Sequence, residues 1–460
     1  MLEVKGLASF SPLGHLNEFR KDPLQFLTDL YHNYETIVSF RLAHRKIHLL
    51  LEPDLIKEVL VTKQNSFHKS RPFQEMKTLL GEGLLTSEDE FHMRQRRLIQ
   101  PSFTKQHVQS YAEKMTMITE ECISTWSDEE ERLISRDMME LTLAIIAKTM
   151  FSMDMKQGHE KVGKHLDIIM NIATKRIRSV LKSPLALKTP QNKSLTEAIK
   201  KIDEVLFEII EKRSNLDTQN DLLEVLMRAR DEESNEVMSH KQLRDEAMTI
   251  FLAGHETTAN ALSWCLFLIS QHPDKAKLLY EEVDRVLGKR QANYDSMKDL
   301  IYTQQIIWES IRLYPPAWLI SRKAIEDVMI GNYKIHKGET VMMSSYIMHR
   351  SEKYFSQAKE FIPERFHNGK VQGVPEFVYF PFGGGPRVCI GNHFAIMEAT
   401  LVLATVIKHY TFELVLDHHQ VEAEPLITLR PKNGLRMIVK KKEVNRNLVT
   451  GSLCREKTIK

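Results

Sequence analysis

Cysteine is scarce in this sequence: 460 residues hold four, Cys122, Cys265, Cys389 and Cys454, far apart and with no CxxC pair. That spacing argues against a disulfide framework or a zinc site and suits a reducing compartment. Long apolar runs are missing as well. No segment reaches the roughly 18 uninterrupted apolar residues of a membrane span, and the opening stretch MLEVKGLASFSPLGHLNEFRKDP is broken by Pro12, Gly14 and several charges. Neither a signal peptide nor a transmembrane anchor is expected, and a cytoplasmic location follows. Charge of one sign is lacking too: a formal net charge of +3 offers no broad basic face, so no nucleic acid partner is expected. Internal repeats and low-complexity tracts are absent.

What the chain does have is enough apolar residue for a large core, 42%, and enough charge for a solvated surface, 27%. Residues Ile37 to Glu52, IVSFRLAHRKIHLLLE, favour strand, and their charged centre predicts a hairpin. From about Asp54 to Asp299 helical periods take over, most clearly in LEVLMRARDEESN (Leu223–Asn235) and from Lys241 to Gln271. SPLALKTPQN, Ser183 to Asn192, reads as a loop between helices. After Ser345 comes a long irregular stretch in which proline and glycine recur, and such length signals a functional segment.

That stretch ends in Phe382-Gly383-Gly384-Gly385-Pro386-Arg387-Val388-Cys389-Ile390-Gly391, just before the helical pattern NHFAIMEATLVLATVIKHY. Three glycines alone suggest a flexible turn, and a lone cysteine suggests a small buried hydrophobe. Together they suggest more. Glycines let backbone pass close to a flat ligand, a helix start favours thiolate over thiol, and an adjacent arginine suits an anionic group on that ligand.

Two further elements have bland readings on their own. Glu309 and Arg312 lie i,i+3 in YTQQIIWESIRLY, the spacing of an ordinary surface ion pair. Ala253-Gly254-His255-Glu256-Thr257-Thr258 sits inside a helix expected from roughly Leu243 to Ser270, where a tolerated glycine and exposed threonines would suffice. The Thr257 hydroxyl could bond back to the carbonyl of Ala253 and loosen the turn.

Phe382, Gly385, Arg387, Cys389 and Gly391 stand at the defining positions of the heme-binding loop of the cytochromes P-450, and the chain resembles that superfamily from roughly Pro23 to Lys441. The resemblance overrides the length-based prior of several domains. It implies one mainly α domain with small β-sheets over residues 1–445, followed by a polar tail at 446–460. It also implies a heme b cofactor whose iron is ligated by Cys389, the thiolate ligation that favours O–O cleavage. Glu309, Arg312 and Arg365 would form a charge triad behind the heme, and Glu256 with Thr257 the acid–alcohol pair that relays protons to bound dioxygen. His92, Arg96, Arg322, Phe382, Arg387 and Gly391 complete the implied cofactor contacts. Many members carry tryptophan where His92 stands, so a solvated histidine is the alternative there, and Arg97 reads equally as a surface charge.

By family position the substrate pocket would be apolar: Phe73, Met76, Leu79, Leu84, Phe251, Ala253, Ala317 and Trp318. Lys69 and Arg71 are either solvated loop charges or a carboxylate contact at the pocket mouth. The implied function is a monooxygenase acting with dioxygen on a lipophilic small molecule. Nothing in the chain resembles a nicotinamide or flavin site, so electrons are expected from a separate ferredoxin- or flavodoxin-type donor. A peroxide-driven peroxygenase is the alternative within enzymes, and Glu256 with Thr257 argues against it. A non-catalytic heme carrier or sensor would explain Cys389 but not that pair.

Overall fold

The computed structural model describes residues 2–153, 162–179, 184–185, 187, 189–213, 221–231, 235–415 and 421–442. The tail expected at 446–460, with Cys454, lies outside them. Among the described residues helices dominate, and five small sheets stand apart from one another. No helix among the described residues is long and apolar enough to cross a membrane.

The expected hairpin forms: Ile37–Leu42 pairs antiparallel with Arg45–Leu50, and Ala43 makes the turn at a φ of 55°. This hairpin is the edge of a five-stranded sheet that continues through Thr340–Met343 and Ile320–Ala324 to Phe67–Lys69. The register of the last pair sets Lys69 opposite Arg322. Two cations distant in sequence thereby become neighbours.

The long helix runs His240–Gln271, a little beyond its expected ends. Ser239 starts it with a capping box, its side chain taking the Gln242 N–H while the Gln242 side chain takes the Ser239 N–H. Most of the helix is buried, and it packs along Ile134–Phe151. A side chain at Gly254 would come within 2.6 Å of the Ile146 methyl group, so glycine there permits a close approach of the two helices.

The helix expected across Leu223–Asn235 stops at Arg228 instead. Ala229 turns extended, Arg230 bridges to Val237, and the Asn235 N–H donates to the Asp231 carbonyl at 2.8 Å; residues 232–234 lie outside the described ones. The reason is tertiary: Asp231 is buried and takes Arg97 as an ion-pair partner at 3.3 Å, so the chain bends to keep its carboxylate there. Arg97 is therefore a paired cation. The loop expected from Ser183 ends before Asn192, because Pro190 already opens the next helix. The irregular stretch after Ser345 is observed as expected: past the turn Ser345–Met348 no helix longer than a single turn forms until Asn392–His409.

Candidate active site

Glu309 and Arg312 project from the helix Ile301–Leu313 into a fully buried setting, each with no exposed side-chain surface. The pair is bidentate, Arg312 Nε to Glu309 Oε2 at 2.6 Å and Nη2 to Oε1 at 2.8 Å. Arg312 also donates to the carbonyls of His349, Ala358 and Glu360 at 2.8, 2.6 and 3.0 Å. Glu309 Oε1 accepts from the Ile362 N–H and from Arg365 Nε. The ordinary surface pair of the bland reading is thus a buried triad with Arg365. It pins the irregular segment, whose own backbone pairing is limited to the short ladder of Phe366–His367 with Lys370–Val371. One more link reaches the cysteine loop: the His349 ring accepts the Phe380 N–H at 3.0 Å, and burial holds that ring neutral, its pKa well below the usual value.

The loop itself depends on glycine. Gly383 and Gly385 have φ of 73° and 66°, and a Cβ at Gly385 would lie 2.0 Å from the Leu60 carbonyl oxygen. The Cys389 N–H closes the loop on the Phe382 carbonyl at 2.9 Å, and Arg96 Nη1 holds the Val388 carbonyl at 2.8 Å. Cys389 is exposed in a stretch whose neighbours are only partly so. Burial within the surrounding protein pushes its thiol up, while the Gly391 N–H and the Arg96 charge oppose that push. An iron ion at the sulfur would tip the balance to thiolate.

Above the loop lies a buried excess of positive charge. Lys69, Arg96, Arg322 and Arg387 gather there with two carboxyl groups, Glu88 and, beside Lys69, Glu246, which burial pushes up to about 8. Glu88 accepts the Lys69 N–H at 2.5 Å and meets Arg387 at 2.6 Å. Burial pushes Lys69 down to about 7, with Arg387 and Arg322 adding to the push, and burial together with Arg387 pushes Arg322 down to about 10. His92 is pushed down to about 3 by burial and by Lys69, Arg387 and Arg96. It donates from Nδ1 to the Leu84 carbonyl, and its Nε2 is buried without a partner. Three arginines and Lys69 outnumber the two carboxyl groups, and that excess of positive charge fits a dianionic group, since buried charge is stable only when paired. The two carboxylates of a heme meet that description.

His92 is 3% exposed, which removes the solvated-histidine alternative. Lys69 is corrected on both readings: it is neither solvated nor at a pocket mouth, but 6% exposed and donating to the Ser87 and Leu84 carbonyls. Arg71 reaches the Ser179 carbonyl. Nothing local in the sequence marks Lys69 as a site residue. Its place comes from the strand pairing with Arg322, and Glu88, just before the helix Asp89–Ile99, was missed because its partners Lys69 and Arg387 are distant in sequence.

On the long helix the Thr257 hydroxyl donates to the Ala253 carbonyl at 2.8 Å, the bond expected from the sequence. The Thr142 hydroxyl, from the neighbouring helix, takes the His255 carbonyl at 3.0 Å. Two carbonyls of one turn are therefore shared with hydroxyls, which loosens it. Ala253 is exposed and Thr257 half-buried within this otherwise buried helix, and Ala317 is exposed between buried neighbours. Phe251 is a correction: it has no exposed surface and stacks on Phe151 at 4.4 Å, so it belongs to the core. Trp318 is buried too, its indole N–H donating to the Leu426 carbonyl. The Glu256 carboxyl, 9% exposed, accepts from the Thr428 hydroxyl at 2.5 Å, a partner that the sequence did not suggest.

Behind the loop a surface cleft of about 550 Å³ is lined by Phe382, Trp308, His393, Lys105, Lys298 and Asp295 among others. Trp308 meets Phe382 edge to face, with ring centroids 5.9 Å apart.

The family model for cytochrome P450 matches residues 5–437 of the chain. The chain is similar to cyclooctatin synthase of Streptomyces melanosporofaciens, 35% identical over 401 residues that cover 85% of this chain and 86% of that protein. It is similar to cyclooctat-9-en-7-ol 5-monooxygenase of the same organism, 30% identical over 86% of this chain and 87% of the other. Pentalenene oxygenase of Streptomyces avermitilis is 28% identical, over 91% of each chain.

Proposed function

The chain belongs to the cytochrome P450 family, the heme-thiolate monooxygenases, and on that premise we propose that Cys389 ligates the iron and that the substrate is an unsaturated, hydrocarbon-rich molecule of terpenoid type. One observation carries the assignment of the cofactor site: an exposed cysteine on a glycine loop beside a cluster in which cations outnumber carboxyl groups. Arg96, Arg322, Arg387 and Lys69 would hold the heme carboxylates, and His92, neutral while cations surround it, would gain a proton beside those carboxylates and donate from Nε2. The bound heme supplies the dioxygen chemistry. The protein's part is to hold a proton path to the reacting oxygen and to shape the space beside it.

In that path the Thr257 hydroxyl gives its hydrogen to the Ala253 carbonyl and keeps its lone pairs free to accept from a water. Glu256 is the carboxyl that supplies protons to that water. Thr257→Ala is expected to leave NADPH and dioxygen consumption running with a surrogate redox pair, while product formed per NADPH falls roughly tenfold and peroxide rises accordingly. Unchanged product yield would remove Thr257 from the path.

Substrate class follows from Ala253 and Ala317, small and open, which leave room for a bulky apolar skeleton and offer no charge. Burial of apolar ligand surface contributes about 25 cal/mol per Å². The relatives named for pentalenene and for cyclooctat-9-en-7-ol point the same way. Titration of the heme-loaded protein with these two compounds is expected to shift the Soret band, and turnover with a surrogate redox pair to give singly oxygenated products. Spectral shifts with small polar amines or amino acids, and none with the two hydrocarbon-rich probes, would overturn this reading.

The electron donor we propose is a small acidic ferredoxin- or flavodoxin-type protein, met by Lys105 and Lys298 at the cleft behind the cysteine loop. Such pairing steers encounter and weakens with salt. Widely spaced cysteines support a cytoplasmic setting.

A further inference from the structure

Adjacent residues of a helix do not face each other, so Glu256 and Thr257 point in different directions and something must determine where the Glu256 carboxyl goes. Its Oε1 is bound by the Thr428 hydroxyl at 2.5 Å. Asn260, one turn further along the same helix, donates from Nδ2 to the Thr428 oxygen at 3.0 Å. Because that oxygen already accepts from Asn260, its own hydrogen is directed at Glu256. The three side chains, all buried, form an oriented chain of donors that ends on the carboxyl.

Thr428 lies in the turn between the paired strands Ala423–Pro425 and Leu429–Pro431. That turn is tied on several sides. The Trp318 indole N–H donates to the Leu426 carbonyl at 3.1 Å, and the Leu429 N–H to the Pro316 carbonyl at 3.0 Å. Trp264 Nε1 holds the Leu429 carbonyl, and Arg178, at the end of the helix Lys164–Arg178, donates to the Pro425 carbonyl at 2.8 Å. Pro316 and Trp318 flank the exposed Ala317. The turn is thus fixed at once to the segment that carries the open Ala317 face, to a helix end, and to the carboxyl beside Thr257.

We propose that Thr428 is the positioning residue of Glu256, and that the hairpin turn sets where this carboxyl sits according to what is bound beside Ala317. The proposal rests on the reading of Glu256 as the proton donor. A hydrocarbon bound against Ala317 bears on Pro316 and Trp318, these bear on the turn, and the Thr428 hydroxyl carries the displacement to Glu256. Proton delivery is thereby tied to an occupied pocket.

The test uses the heme-loaded full chain with a surrogate redox pair, pentalenene as probe, and peroxide released per NADPH as readout, for wild type, Glu256→Gln, Thr428→Val, Thr428→Ser and the double variant Glu256→Gln/Thr428→Val. Thr428→Val removes the hydroxyl at nearly constant shape. It is expected to shift the ratio of product and water to peroxide about tenfold toward peroxide, the weight of one hydrogen bond. Thr428→Ser restores the wild-type ratio, and in the Glu256→Gln background Thr428→Val adds nothing. If Glu256→Gln raises peroxide and Thr428→Val does not, or if Thr428→Val acts equally with and without Glu256, the positioning role is wrong. If Glu256→Gln itself changes nothing, the donor reading of Glu256 fails first. Should Thr428→Val not load heme, Asn260→Ala, which keeps the hydroxyl but releases its orientation, is expected to move the ratio in the same direction, and no movement there overturns the proposal.

Discussion

Arg312→Leu is expected to yield a chain that neither retains heme nor unfolds cooperatively near the wild-type temperature. The side chain has no exposed surface, and its removal leaves the Glu309 carboxylate buried with only Arg365 and one backbone N–H as partners. Breaking a buried pair by removing one member costs about 3–5 kcal/mol. The carbonyls of His349, Ala358 and Glu360 lose a donor in the same step, at roughly 1–3 kcal/mol for each that stays unsatisfied. Against a total stability of about 5–15 kcal/mol, that loss is most of what there is. Arg312→Lys is expected to fare little better, because a point charge cannot reproduce the two-pronged contact to Glu309 or span three carbonyls. Lys353→Ala, which breaks an exposed pair with Glu52, is the contrast, at less than about 1 kcal/mol. Thermal unfolding followed with heme content decides the matter. An Arg312→Leu protein that holds heme and melts within a few degrees of wild type would show that the irregular segment is held by something else.

How much of this was legible in the sequence depends on how local each signal is. The hairpin at Ile37–Glu52, the long helix, the glycine loop and the Thr257–Ala253 bond were readable because each is decided within one or two turns of chain. The stop at Arg228 was not, since the helical period continues past it and only the buried Asp231, with its arginine partners from elsewhere in the chain, overrides the pattern. Phe251 shows the same limit from the other side. It sits two residues before Ala253, and whether it faces substrate or core depends on Phe151, a hundred residues away.

The site divides likewise. Cys389, Arg387 and Arg96 were singled out by motif and family position, and the structure brings Arg96 and Arg387 to the cysteine loop and joins Glu309, Arg312 and Arg365 in one buried triad. Lys69 was misread, because its neighbours in sequence are loop-like while its neighbours in space are Arg322, Arg387 and Glu88. Thr428 carried no signal, since a threonine in a turn near the end of the chain is unremarkable until the fold brings it to Glu256. Position in the sequence singled out the candidates, and strand register and the hairpin supplied their surroundings.

The central claim is that the Cys389 sulfur binds iron, and its removal should have the largest effect on function. Cys389→Ser keeps size and shape but replaces a thiol by a hydroxyl, whose oxygen is a poor anionic donor at neutral pH. The cation set of Lys69, Arg96, Arg322 and Arg387 is untouched by the change, so some heme should still be taken up while monooxygenase turnover is lost. Cys122 and Cys265 cannot substitute: burial pushes each thiol up to about 12, and neither lies in the loop. The most direct measurement is the carbon monoxide difference spectrum of the reduced, heme-loaded protein. Wild type is expected to show the strongly red-shifted Soret band of thiolate ligation, and Cys389→Ser to lack it. A Cys389→Ser protein that keeps that band would contradict the account.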